Sequence, residues 1–280
     1  MVDVVDEQRC RLRFYEADYN LQIHGERWID GVAPGDLVIF IDYFGFSTDR
    51  HCMASVKERK GWVLEDACQA MLSKHVGAGA DFVLFSPRKF VGVPDGGILQ
   101  IRCDGFDEAF SSEKPPTPWW LKAFAAVLHR RDFDRGSFRD DWFQQFREAE
   151  AESPVGYFAM SELSQTILTH GVDHSTHATL RRENYAFLLS HLGDYAMFPH
   201  LPDDVVPLGF PIRIASRDSV RHRLFQHEIY PPVHWPIAGI VPDEFRDSHR
   251  LAEEIMTLPC DQRYSLDDMA RMASLVPELL

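Results

Sequence analysis

The sequence has no Cys-x-x-Cys pair, no apolar run approaching the length of a membrane span, and no internal repeat. Its five cysteines, Cys10, Cys52, Cys68, Cys103 and Cys260, are odd in number and scattered. A disulfide framework or a zinc knuckle is therefore a poor reading, and reduced thiols are the better one. Basic residues are in deficit, with 29 Lys and Arg against 43 Asp and Glu, for a formal charge of −14. Such a surface repels phosphates, which argues against nucleic acid or an anionic membrane as the main partner. Residues 1–11 are charged and lack the apolar stretch of a signal peptide. Without a span either, the chain reads as soluble and cytoplasmic. Its 280 residues, 45% apolar, are enough for one large or two medium domains with a sizeable core.

The first half is patterned as α/β. Residues 37–42 (LVIFID) form a continuous apolar run, the signature of a strand buried on both faces, after turn chemistry at Pro34-Gly35-Asp36. Residues 48–60 read as a helix with a polar face and 62–65 as a second strand. Strand, helix and strand in about 30 residues make a βαβ unit, hence a parallel sheet. Further strands are expected at 81–85 and 97–101. A stiff connector, EKPPTP at 113–118, precedes charged helical sequence at 119–152. Residues 161–192 read as one long helix or two. Short strands are expected at 212–215 and 255–258, and a helix at 217–227. Ser265-x-x-Asp268 resembles a capping box opening a last helix to about Leu275. This divides the chain into an α/β part, 1–150, and a smaller α+β part, 151–280.

Chemistry concentrates in three segments: Glu65-Asp66-Ala67-Cys68-Gln69-Ala70, Phe85-Ser86-Pro87-Arg88-Lys89 and Val93-Pro94-Asp95-Gly96-Gly97. Asp66 lies just past the carboxyl end of one predicted parallel strand and Lys89 follows the next, so the two side chains could converge at the sheet edge where open α/β folds bind ligands. Taken together, these segments resemble the nucleotide-sugar aminotransferases of the DegT/DnrJ type. Those proteins depend on pyridoxal 5′-phosphate (PLP) and have the aspartate-aminotransferase fold. The family places an acidic-Asp-Ala-x-Gln segment after a buried strand, a Ser-to-Lys segment after the next, and a Gly-Gly pair before the strand beyond. Tyr230-Pro231-Pro232-Val233-His234-Trp235 resembles its substrate-side loop, and the segment from Leu258 to Tyr264 its final strand and turn.

The resemblance implies a fold type I PLP-dependent transferase with a mainly parallel sheet and a small C-terminal α+β domain. It implies that Lys89 is catalytic and carries the cofactor, because transamination needs an amine that joins the cofactor aldehyde and afterwards shuttles a proton. Asp66 would hold the pyridine nitrogen protonated. Ser86 would donate to the cofactor phosphate, Gln69 would lie near the ring, and His234 and Trp235 would line the substrate. Gly96 and Gly97 would let the backbone approach closely. The reaction implied moves an amino group from glutamate or glutamine to a nucleotide-linked keto sugar, in a homodimer, for polysaccharide or natural-product sugars. Keeping a lysine, where family dehydratases have histidine, favours transamination. A desulfurase-like reading fits EDACQA and LPCDQRY less well.

The departures lead to further expectations. The family's longer N-terminal section, with its Gly-Thr or Gly-Ser phosphate-binding helix start, is not found before residue 37, so a fragment, a late start or half of a split protein is expected. Such a chain alone would bind PLP weakly and self-associate. Val155 to Ser161 lacks the Asn and Arg that the family sends into the partner's site, and Pro87-Arg88 replaces a common histidine. A catalytically silent subunit with an assembly role is therefore the alternative. His170, His174 and His177 have metal-compatible spacing, but nothing completes the set. They read as a polar helix face, with no metal. Trp119-Trp120 reads as an anchor for the helix that follows.

Overall fold

The computed structural model describes residues 10–23, 25–74, 76–105, 113–136 and 141–280. Its first sheet is built from β1 (Leu37–Ile41), β2 (Trp62–Asp66), β3 (Phe82–Phe85) and β4 (Ile98–Ile101), in that spatial order. β1 and β2 run parallel, with Leu37 opposite Trp62 and Ile41 opposite Asp66. β3 continues the parallel set and β4 closes it antiparallel. α1 (Arg50–Glu58) connects β1 to β2, completing the expected βαβ unit.

The register explains which side chains go inside. Val38 and Phe40 of β1, Val63 of β2 and Val83 of β3 share one buried face with Met53 and Val56 of α1. Burying each such side chain fully contributes roughly 1.5–3 kcal/mol. Tyr15 and Trp28, stacked at 4.4 Å, extend the same cluster, and Tyr15 donates to the Ile39 carbonyl. The apolar run at β1 leads one to expect burial on both faces; here its burial alternates instead. Leu37 is 52% exposed, and Ile39 and Ile41 are half-buried, because among the described residues it is α1 and the Tyr15–Trp28 pair that pack on the strand, on one side.

Helix ends follow local chemistry. α1 starts at Arg50 rather than at 48, because the Asp49 carboxylate accepts from the His51 and Cys52 amides. The charged middle of the chain folds into α2 (Thr117–Asp134) and α3 (Trp142–Ala151). These two pack together, with Trp119 Nε1 donating to the Ala149 carbonyl and Arg130 over the Trp142 ring. Residues 161–192 form two helices, α4 (Glu162–His170) and α5 (His174–Leu192). The break falls at Gly171, and Asp173 caps α5. His170 therefore lies on a different helix from His174 and His177. No group of three metal-ligating side chains occurs among the described residues.

The C-terminal third contains β5 (Phe210–Arg213) paired antiparallel with β6 (Ile255–Leu258), α6 (Arg217–Phe225), α7 (Arg246–Glu254) and α8 (Leu266–Glu278). β5 lies two residues earlier than expected, since Phe210 pairs with Leu258 and Arg213 with Ile255. Pro211 is tolerated because this ribbon has only two strands. The Ser265–Asp268 capping box is present. Tyr185, Leu188 and Leu192 of α5 pack on Phe210, Met256 and Met269 in a second core.

The first sheet and the C-terminal third are tied together beyond the end of β1. Gly45 has φ +98°, and a Cβ there would lie 2.3 Å from the Val206 carbonyl oxygen, so only glycine permits this approach. Leu208 N–H donates to the Phe44 carbonyl, and Ser73 Oγ accepts from Val206 N–H. No helix among the described residues is long and apolar enough to cross a membrane.

Candidate active site

The carboxyl ends of the three parallel strands bring together groups that lie far apart in sequence. Asp66 is the last residue of β2, and its Oδ1 accepts from Cys68 N–H at 3.0 Å. Tyr43 stands just past β1, next to Asp66. Burial, then the Asp66 charge, pushes the Tyr43 phenol up to about 12. Beyond β3 the chain makes one tight turn, Pro87–Lys89, entered from Ser86. Pro87 presets the turn backbone, and Lys89 leaves it exposed while Phe90 dives into the interior.

Lys89 faces two sides at once. Cys68 is pushed up to about 12 by burial and then by its hydrogen bond to Asp66, while Lys89 pulls it the other way. On the far side, burial and then the Lys89 charge push His234 down to about 4, so its imidazole is neutral at neutral pH. The Lys89 amine has no hydrogen bond or ion pair among the described residues. Its neighbour Arg88 is directed away, to Glu150 of α3 at 2.6 Å.

The loop carrying His234 and Trp235 supplies an aromatic wall. Trp235 lies 5.2 Å from Tyr43 and 5.9 Å from Phe44, centroid to centroid, and His234 lies 5.4 Å from Phe44. Sequence reasoning singled out Lys89, Asp66, His234 and Trp235, and the structure links them pairwise: Asp66 and Lys89 both act on Cys68, Lys89 acts on His234, and Trp235 adjoins His234 and Tyr43. Ser86 is half-buried at the turn entrance, and its hydroxyl does not cap the turn. Gln69 points inward instead. It is 5% exposed, and its Oε1 accepts from Phe44 N–H at 2.8 Å, holding a residue with φ +57°. Tyr43, Phe44 and Cys68 were not singled out. The available signal was position, since Tyr43 and Phe44 follow β1 at the same edge as Asp66.

Under this edge lies a carboxyl pair. Asp42 is 1% exposed and Glu65 fully buried. Glu65 is held by Arg50 at 2.8 Å and by Gly77 N–H at 2.7 Å; Asp42 Oδ1 accepts from Thr48 N–H at 2.8 Å. Burial, then the hydrogen bond with Glu65, pushes Asp42 up to about 8. The folded protein thus keeps a proton that the unfolded chain releases at about pH 4. The resulting stability is complete below that pH and is lost as pH rises through about 8. Asp42→Asn keeps the neutral shape and donates to Glu65 without titrating. Its thermal midpoint should gain on that of wild type between pH 5 and pH 8 by at least about 4 °C. Parallel pH slopes for the two proteins would refute the shared proton.

The groups at the cleft fit PLP. An amine without a hydrogen-bond partner among the described residues and a strand-end carboxylate both act on Cys68, and they are the two groups needed to bind an aldehyde-bearing pyridine and protonate its nitrogen. Lys89 and Asp66 would hold it, with the Ser86 hydroxyl as a donor to its phosphate.

No protein-family model and no curated protein matches the sequence. Solved structures do match the fold. The sugar aminotransferase CalS13 from Micromonospora echinospora superposes with a TM-score of 0.68 at 17% identity, covering 98% of this chain and 76% of that one. Helicobacter pylori PseC, an aminotransferase involved in the biosynthesis of pseudoaminic acid, gives 0.70 at 17% identity, covering 99% and 76%. The aminotransferase TlmJ from Streptoalloteichus hindustanus gives 0.65 at 17%, covering 99% and 75%. The fold of this chain is that of the PLP-dependent aminotransferases, over about three quarters of their length.

Proposed function

We propose that this chain, which has the fold of the sugar aminotransferases, is itself a PLP-dependent aminotransferase. In this reading it moves an amino group from glutamate or glutamine to a nucleotide-linked keto sugar, for polysaccharide or natural-product sugars. The observation that carries the reading is the placement of the Asp66 carboxylate and the free Lys89 amine at one strand edge, with Cys68 responding to both. When bound there, PLP supplies an electron sink for the carbon that bears the amino group. Lys89 holds the cofactor covalently and then carries a proton between nitrogen and carbon. Asp66 keeps the pyridine nitrogen protonated, because a carboxylate beside it favours the charged form. Ser86 donates to the phosphate. Gln69 acts from behind, fixing the Tyr43–Phe44 turn that forms one wall.

His234 and Trp235 line the acceptor side. A neutral His234 can stand beside the Lys89 ammonium without repelling it. We take the chain as two units divided near residue 150, with Asp66 and Lys89 supplied by the first and His234 and Trp235 by the second. A cytoplasmic homodimer is the form we expect, with Tyr157 (80% exposed) and Val155 (71%) on the segment that would face the partner. That same segment favours a second reading, a catalytically silent assembly subunit, since apolar Val155 and Tyr157 occupy the stretch where the resembling family has Asn and Arg.

The deciding experiment supplies ¹⁵N-labelled glutamate, PLP and a panel of nucleotide-linked keto sugars, and follows the label by mass spectrometry. Label appearing on a nucleotide sugar is the expected result. A Lys89-linked, borohydride-reducible band without transfer from glutamate or glutamine would favour the silent subunit. Absence of both would remove the aminotransferase reading.

A further inference from the structure

The turn that presents Lys89 is held from the C-terminal third of the chain. Gln262 Nε2 donates to the carbonyl of Phe90, the residue directly after Lys89, at 2.9 Å across 172 positions of sequence. Gln262 Oε1 in turn accepts from Arg181 Nε of α5 at 2.7 Å. Arg181 is 2% exposed, and its guanidinium lies 4.8 Å from the centroid of the Phe90 ring. Its Nη1 donates to the Pro207 and Leu208 carbonyls at 3.1 and 3.0 Å. A buried guanidinium is costly unless its donors are used. Here they are spent on one side of Phe90 while its ring face takes the cation. One turn further along α5, Asn184 Nδ2 donates to the Asp261 and Tyr264 carbonyls at 3.2 and 3.0 Å, so the backbone on either side of Gln262 is fixed as well.

Phe90 is thus gripped at its carbonyl by Gln262 and at its ring by Arg181. The backbone ties of the turn itself are short-range, Lys89 N–H to Ser86 O at 3.2 Å and the Phe90 and Val91 N–H groups to Pro87 O, each at 2.9 Å. We propose that Gln262, backed by Arg181, is the positioning residue for Lys89, fixing where its amine stands against Asp66. The part given to Lys89 rests on the function proposed above; the tether itself does not. It follows that a shift of Gln262 is transmitted to the backbone of the turn that bears Lys89.

The test uses Gln262→Glu, which still accepts from Arg181, now as an ion pair, but has no N–H for the Phe90 carbonyl. Gln262→Met, which loses both bonds, is the second variant. Amide hydrogen exchange over residues 87–93 should rise about tenfold in Gln262→Glu while α5 keeps its protection, a local rather than global opening. In the PLP-loaded protein, the visible circular dichroism of the Lys89-linked chromophore should fall to less than about half, because that signal reports the orientation of the bound ring. Gln262→Met should show both effects. Unchanged exchange over 87–93 in both variants, or a rise only in step with α5, overturns the tether. Faster exchange with an unaltered chromophore signal overturns its role in placing Lys89. If wild-type protein carries no chromophore at Lys89, the aminotransferase reading fails, and the exchange measurement, made without cofactor, still judges the tether.

Discussion

Lys89→Ala protein should lose the borohydride-reducible yellow band completely, and transamination should fall by at least about a thousandfold. No other nearby lysine can substitute. Lys57 is committed to Asp81 at 2.9 Å, on the helix side of the sheet. Lys60 sits at φ +62° in the turn before β2, at the opposite end of the strand from Asp66. The backbone of Lys74 is bound to Asp204, beside the Gly45 crossing rather than at the β3 turn. Lys89→Arg is the companion variant. It keeps the positive charge beside His234 and Cys68, yet should show no band, which separates covalent attachment from electrostatics. Borohydride reduction followed by peptide mapping decides the matter, and a labelled peptide from any segment other than the one containing Lys89 would overturn the central assignment.

Asp66→Asn should leave PLP attached while transamination drops by about a thousandfold. The amide is isosteric, and its Oδ1 can still accept from Cys68 N–H, so the strand end keeps its shape. What disappears is the negative charge that keeps a pyridine nitrogen protonated. An independent signature accompanies the loss. The Cys68 thiol and the Tyr43 phenol should both titrate at lower pH, since Asp66 helps to push each upward. Ultraviolet titration of the apo-variant checks this without any turnover. Full activity would require another carboxylate at the ring, and the neighbours are poorly placed. Asp42 is buried against Glu65, and Asp95 is 4% exposed and engaged by Ser161 and Trp120.

Strand-borne parts of this architecture were legible because their signal is local. The apolar runs at Leu37–Ile41 and Trp62–Asp66 locate β1 and β2 to within a residue, and the capping box at Ser265 opens α8 where its chemistry says. By contrast, α7 could not be read. Its nine residues, RDSHRLAEE, include only Leu251 and Ala252 as apolar side chains and bury only Leu251, too few for an apolar periodicity to stand out. It forms because the flanking β6 and the Tyr19–Glu254 bond hold it. At the site, Lys89 and Asp66 follow from motif and strand end. The inward turn of Gln69 and the tie from Gln262 do not, because each depends on a backbone partner fixed only by tertiary packing.

The Gln262–Phe90 bond also sets an order of events during synthesis. The ribosome delivers β1 through β4 early, and their mutual pairings span short stretches of chain, so this sheet can assemble while the rest is still being made. Lys89 emerges with it, already on its turn but without the grip on Phe90. That grip becomes possible only after another 172 residues have been added. The amine therefore reaches its working position well after the sheet that bears it. A nascent chain stalled short of Gln262 would display a folded sheet and a loose Lys89, and a cofactor aldehyde meeting it then would find a reactive amine without a finished pocket around it.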